Sequence, residues 1–150
     1  MAGYKVAEIL GIKNQEQIQP NGVDLRLDRI YLYVGELNLE NYKQDELKLL
    51  ESKDDYYELK KGAYLIDFIE TIAIPKDTVG LVLPRSTLLR HGLDIRTALW
   101  DSGYYGKGKV MLINYRRYAK IKRGFRVAQL ILIRAEEPKE PYKGQYVGET

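Results

Sequence analysis

The chain has no cysteine and a single histidine, His91, among its 150 residues. The first absence excludes disulfides, thiolate nucleophiles and cysteine-held zinc, and the second argues against a histidine metal cage or a Ser-His-Asp relay. No apolar run approaches the roughly 18 residues of a membrane-spanning helix. The N-terminal stretch "MAGYKVAEILGIKN" has no basic segment leading into an apolar core, so no signal peptide is expected. A chain with neither feature and no cysteine suits the reducing cytoplasm, its expected location. Also missing are the Walker phosphate loop, the dinucleotide glycine fingerprint, the nucleophile elbow and the cysteine pattern of zinc deaminases.

What is there reads as one soluble domain. Apolar residues make up 45% of the chain and charged residues 30%, which separates it from disordered sequences. A domain of this length buries about two-thirds of its unfolded surface and needs no staple. Net charge is only +3, yet it is unevenly spread. Residues 40–70 are rich in acids. The segment from Lys107 to Arg126 carries eight bases and no acid. Such a field suits a polyanion, either nucleic acid or a phosphorylated small molecule, or else a solvated strand face.

Most of the chain alternates or runs apolar in short stretches between turn residues. "VDLRLDRIYLYV" (Val23 to Val34), "AYLIDFIETIAI" (Ala63 to Ile74), "VGLVLP" (Val79 to Pro84), "KVMLIN" (Lys109 to Asn114) and "RVAQLILI" (Arg126 to Ile133) are predicted strands. Strands at this spacing without alternating helices predict an all-β sandwich or barrel. Two short helices are expected. One is "KVAEILGI" (Lys5 to Ile12); the other is "STLLRHG", with Ser86 as N-cap and Gly92 as the stop. The charged segment Leu39 to Gly62 predicts a loop with a hairpin or a small helix. The tail from Glu136 to Thr150, with its prolines and glycines, predicts mobility.

Four constellations could carry chemistry. Asp101 stands beside a tight turn, with Gly103 and Gly106 flanking Tyr104 and Tyr105, where a carboxylate could orient and deprotonate a water or simply cap the turn. In "PRSTLLR", Ser86 opens a helix between Arg85 and Arg90, a pattern suited to phosphate as well as to plain capping. In "GFRVAQLIL", Gln129 interrupts an apolar strand and needs a partner, either in the core or in a ligand. In "PNGVDLRL", Asp24 follows a turn and reads most simply as a turn residue.

Taken in order, "NGVDLRL", "PRSTLLR", "TALWDSGYYGKG", "GFRVAQLIL" and the tail "YKGQYVGE" resemble the superfamily of trimeric dUTPases and dCTP deaminases, and most of all its short archaeal-type dUTPases. The likeness spans residues 20–149. It implies a mainly β fold, a dUTPase-like distorted β-barrel or jelly roll with one or two short helices. Residues 1–135 would form the barrel domain and residues 136–150 a mobile lid. It also implies a homotrimer with shared active sites, dUTP as substrate and dUMP as product, and Mg²⁺ held mainly by phosphate oxygens and water. By the same resemblance Asp101 would activate the water that attacks the α-phosphorus. Tyr104 would pack on the deoxyribose, and Thr97 and Ala98 would read the pyrimidine edge through backbone groups. Arg85, Ser86, Arg90 and Gln129 would bind the triphosphate, and Tyr142, Lys143, Gln145 and Tyr146 would close over it.

Deaminases of this superfamily carry a glutamate ten residues after the motif aspartate. Here that position is Met111, which cannot shuttle protons, so the resemblance favours hydrolysis. A dCTP deaminase or bifunctional enzyme is the alternative within the superfamily. A non-catalytic β-domain binding nucleic acid through the basic stretch is the alternative of another class. Neither a membrane nor a nucleic acid is an expected partner. The isolation of Asp101 fits a substrate bringing about four negative charges, which further acids would repel.

Overall fold

The computed structural model describes residues 1–44 and 46–150. The chain runs through α1 (Gly3–Leu10), β1 (Ile18–Gln19), β2 (Gly22–Tyr33), β3 (Leu47–Leu49), β4 (Tyr56–Phe68), β5 (Ile72–Ala73), β6 (Thr78–Pro84), α2 (Ser86–Arg90), β7 (Leu93–Arg96), β8 (Tyr105–Gly106), β9 (Lys109–Lys122) and β10 (Arg126–Arg134), with short 3-10 turns at Gln15–Gln17 and Leu39–Gln44. An antiparallel sheet orders its strands β6-β10-β2-β4-β9-β7. β1 and β3 pair with opposite ends of β2, and β5 and β8 make a separate small ribbon. The two sheet ends meet where Gly80 and Trp100 exchange backbone hydrogen bonds of 2.9 and 3.1 Å. The result is the nearly closed, mainly β barrel that the strand pattern predicts. Among the described residues no helix is long and apolar enough to cross a membrane.

The barrel interior is built from the inward positions of alternating strands. Leu25, Leu27 and Ile30 of β2, Ile66 and Phe68 of β4, Leu112 of β9, and Leu130 and Leu132 of β10 are completely buried. β2 breaks strict alternation. Its pairing with β4 slips between Leu27 and Ile30, so both face inward although they are three positions apart, an odd number.

Several expected boundaries shift. The first helix spans Gly3–Leu10 and stops two residues early because Gly11 turns left-handed at φ 70° and returns its N–H to Ala7 and Glu8. Ser86 is the first residue of α2, not its cap; Arg85 occupies the cap position without a side-chain bond, and Gly92 (φ 85°) ends the segment as expected. The segment from Leu39 to Gly62, in which Asp45 lies outside the described residues, supplies a 3-10 turn, β3 and the first half of β4. β9 continues eight residues past Asn114, pairing Tyr118 with Lys60 and Lys122 with Tyr56.

Four carboxylates sunk into the sheet are matched by cations. Asp67, wholly buried, accepts from Arg29 N at 2.9 Å and Nε at 2.8 Å. Glu70 accepts from Arg26 N and Nε and from Gln17 Nε2. Asp24 meets Arg85 at 3.2 Å and Arg126 at 3.1 Å, and accepts from Gln19. It is therefore a buried ion-pair residue rather than the turn residue its sequence context suggests. Asp28 lies between Lys107 Nζ (2.9 Å) and Arg123 Nε (2.7 Å). Burial works against its charged form, but the hydrogen bonds and charges of Lys107 and Arg123 outweigh it and hold the carboxyl below the ordinary range.

Two outcomes follow. Asp67→Ala is expected to cost about 3 kcal/mol in urea unfolding, whereas Asp77→Ala, which removes the exposed Asp77–Arg134 pair, should cost less than about 1 kcal/mol. Because the Asp28 pKa is lower folded than unfolded, its stabilisation is present above the unfolded value of about 4 and is lost as pH falls through the folded value. Stability measured between pH 6 and pH 2 should therefore fall less steeply in Asp28→Asn than in the unaltered protein.

Candidate active site

Asp101 sits on the connection from β7 to β9, and the backbone on both sides of it is pinned. Before it, Trp100 pairs with Gly80 of β6. After it, the Ser102 hydroxyl donates to Thr78 O at 2.6 Å, Gly103 N donates to Ile74 O, and Ile74 N donates to Tyr104 O. Tyr104 N closes the turn on Asp101 O at 3.1 Å. With its neighbours fixed, the Asp101 side chain stands exposed on the wall of a cleft of about 220 Å³, shared with Glu136, Pro138, Glu140 and Tyr142. An exposed carboxylate on a rigid turn can hold a water by accepting a hydrogen bond from it and can then draw off its proton.

Beneath Asp101 lies an aromatic pair. Trp100 and Tyr104 meet edge to face at 5.1 Å, and Tyr104 is only 5% exposed. Burial, with added repulsion from Glu149, pushes the Tyr104 phenol up to about 12, so it remains neutral and cannot serve as a base. Its hydroxyl sits near the backbone of Gly108 without a well-aligned hydrogen bond, and Trp100 Nε1 is likewise buried without a partner among the described residues. The sole tryptophan packs on the bare Cα of Gly108, where a Cβ would come within 2.1 Å of the indole.

The tail lies across this turn. Tyr142 N donates to Ser102 O at 2.9 Å, Gly148 N to Tyr105 O at 2.7 Å, and Lys107 N to Glu149 O at 2.7 Å. The Tyr142 ring covers Tyr104 at 5.6 Å. Lys143 reaches Glu140 at 3.6 Å, Gln145 accepts weakly from the Tyr42 hydroxyl, and Tyr146 is half exposed. Gly103 and Gly106 make the close approach possible: a Cβ on the first would lie 2.8 Å from Pro141 Cβ, and one on the second 3.0 Å from Glu149 N.

The other expected site residues divide into two places. Thr97 and Ala98 are exposed on the same connection as Asp101, with the Thr97 hydroxyl donating to Ala98 O. Arg85, Ser86, Arg90 and Gln129 belong to the opposite end of β6. Gln129 is half-buried and pairs with Leu83, and Arg85 is held by Asp24. From Val79, beside Asp101, to Pro84 is five residues of extended strand, about 17 Å. Within one chain the two groups of expected site residues therefore do not meet. Met111 lies in β9 between Leu65 of β4 and Arg96 of β7, with no acid at either paired position.

Some consequential residues carried no clear local signal. Lys107, Lys109 and Glu149, which fasten the turn and tail, show their roles only through partners distant in the chain. Asn114 is different. A polar residue closing the apolar run "KVMLIN", it is buried and donates to Leu59 O and Lys60 O where the β4–β9 pairing slips. Its composition context could have marked it.

Gly108→Ala should be disruptive, because Gly108 has φ 54° as well as the indole against it. The expected loss is about 2–4 kcal/mol, with a red shift of the single-tryptophan emission. An unshifted emission and an unchanged melting temperature would refute this packing.

Comparison with known proteins agrees with this architecture. The dCTP deaminase-like family matches residues 5–135. A probable deoxyuridine 5′-triphosphate nucleotidohydrolase of Archaeoglobus fulgidus is 36% identical over 91% of this chain and 83% of its own. One of Methanopyrus kandleri is 34% identical over 95% and 96%. Among solved structures, the 2′-deoxycytidine 5′-triphosphate deaminase from Agrobacterium tumefaciens superposes with a TM-score of 0.68 at 19% identity, over 88% of this chain but only 46% of that longer one. The dUTPase of Staphylococcus bacteriophage 80alpha superposes at 0.55 with 17% identity, over 90% and 85%. These two share the fold. By a match over most of its length, and by the barrel it forms, the chain belongs to the dCTP deaminase-like family.

Proposed function

We infer that the chain is a dUTP diphosphatase, converting dUTP and water to dUMP and pyrophosphate. The observation that carries the choice is Met111. The strand position where a deaminase of this superfamily needs a proton-shuttling carboxylate holds a thioether flanked by Leu65 and Arg96. The archaeal relatives named as probable dUTP nucleotidohydrolases support the same reading.

In this reading Asp101 accepts a hydrogen bond from a water and draws off its proton as the water oxygen bonds to the α-phosphorus. The bond from that phosphorus to the bridging oxygen breaks, and pyrophosphate leaves. Tyr104, neutral and rigid, packs on the deoxyribose. Thr97 and Ala98 offer backbone groups to the pyrimidine edge. Arg85, Ser86, Arg90 and Gln129 take the triphosphate, and Tyr142, Lys143, Gln145 and Tyr146 close over it, excluding bulk water. Among the described residues no group of three or more carboxylate or imidazole side chains is placed to hold a metal ion, so in this reading magnesium would be held mainly by the substrate's phosphate oxygens and water. Magnesium carried in on the phosphates would neutralise charge developing on their oxygens.

In this reading the enzyme is cytoplasmic, and the two groups of residues, about 17 Å apart along β6, support a homotrimer in which one subunit supplies the Asp101 turn and another the Arg85–Ser86 arm. A monomer should then be inactive. Size-exclusion chromatography with light scattering, run beside the assay, would sink this reading by finding an active monomer.

The direct test offers dUTP, dCTP, dTTP and UTP with Mg²⁺ and measures pyrophosphate and ammonia. Pyrophosphate from dUTP is expected. In Asp101→Asn, kcat should drop by about 10²–10⁴-fold with the melting temperature nearly unchanged, since the side chain is exposed. Ammonia from dCTP would replace this reading with a bifunctional deaminase.

A further inference from the structure

The tail is docked on its own chain, and the contacts that hold it are specific. Glu149 forms an ion pair with Lys109 at the start of β9, with each side chain about a fifth exposed. Nearby charges are otherwise committed: Arg29 is taken by Asp67, while Lys107 and Arg123 are taken by Asp28. Glu149 is the carboxylate that Lys109 meets. Its backbone oxygen accepts from Lys107, and Gly148 and Tyr142 donate to Tyr105 and Ser102. The docked tail therefore spans the turn from Ser102 to Lys109.

Docking has a cost for a nucleotide. It brings Glu136 and Glu140 onto the wall of the Asp101 cleft, places the Tyr142 ring over Tyr104, and fills the space above Gly103 and Gly106. Three carboxylates around one cleft repel a triphosphate, and the face of Tyr104 is no longer available to a sugar. We propose that the Glu149–Lys109 pair is a latch that stores the tail on its own Asp101 turn in the ligand-free enzyme, so that substrate enters only after the latch opens. This rests on the reading of the turn as the nucleotide site. A latched fraction lowers apparent affinity by the fraction of unlatched molecules. Glu149 and Lys109 thus tune KM without touching the reacting atoms.

The test uses the ligand-free full chain first and the substrate second. The Tyr142 and Gly148 amides donate from the docked tail to the turn and the Lys107 amide from the turn to the tail, so their hydrogen exchange reports the latch directly. In Glu149→Gln and in Lys109→Gln, exchange at Lys107 and Gly148 should quicken about tenfold, and KM for dUTP should fall several-fold while kcat holds within about twofold. The reversed pair, Glu149→Lys with Lys109→Glu, should restore slow exchange and the original KM, which a simple folding defect would not do. Unchanged exchange in both single variants would overturn the latch. Quickened exchange with an unchanged or raised KM would overturn its control of substrate entry. Should the unaltered protein release no pyrophosphate from dUTP, the functional reading fails and the control of entry with it. The exchange data would still decide the latch.

Discussion

A buried carboxylate without a cation is far costlier than the same carboxylate paired and hydrogen-bonded, and the architecture follows from how this chain meets that constraint. Asp24, Asp28, Asp67 and Glu70 are all sunk into the sheet, and each is matched by at least one arginine or lysine. The pairs do more than neutralise. Asp28 reaches from β2 to Lys107, which also donates to Ile69 O, and so ties the Asp101 turn to the barrel wall. Asp24 reaches Arg85 and Arg126, fixing the entry to α2 beside the start of β10. The slip in β2 between Leu27 and Ile30 accommodates this, turning Asp28 and Arg29 to their partners while the apolar residues on either side stay in the core.

The same ties explain why the Asp101 turn and the Arg85–Ser86 arm are rigid yet separate. Each is anchored to a different end of the β2–β10–β6 sheet, so no side-chain motion brings Asp101 to Ser86. In the homotrimer proposed above, another copy would supply the missing group without local rearrangement, and the tail that crosses the Asp101 turn would have a choice of surfaces to cover. Docked on its own chain it places Glu136 and Glu140 beside Asp101, which under the proposed latch would oppose a nucleotide until the tail is released.

What the sequence disclosed follows from where the determinants lie. β2, β6 and β10 were legible to within about one residue at each end, because their alternation is local and strong. The outer halves of β4 and β9 were not. There Tyr57, Leu59 and Ile121 are buried and Ala119 is partly so, among exposed charged and tyrosine residues, and the pairing slips at Gly62, so the two-residue period is diluted. Ser86 has the chemistry of a cap but sits one place too late, since Arg85 already has the extended backbone that precedes a helix. The turn glycines and Asp101 were legible as a unit. The partners of Asp24 and Asp28 were not, because Arg123 lies 95 residues from Asp28 and nothing local marks the pairing.

The basic stretch from Lys107 to Arg126 takes on a different meaning once its partners are known. Lys107 and Arg123 serve Asp28, Lys109 serves Glu149, and Arg126 serves Asp24. Half of the eight cations are thus counter-charges for carboxylates elsewhere in the fold. Of the others, Lys120 and Lys122 lie over the Tyr56 ring on the outer ribbon, at 4.6 and 5.6 Å. Arg116, Arg117, Lys120 and Lys122 stay exposed on the outer ribbon, so about half of the run is left as open positive surface. Asp101 is the complement of that arithmetic. The barrel's cations are drawn to the buried acids, and among the described residues none is paired with the Asp101 side chain. A carboxylate held by a cation has its lone pairs engaged and is a poor acceptor for a water proton. One left facing a cleft on a pinned turn keeps that capacity.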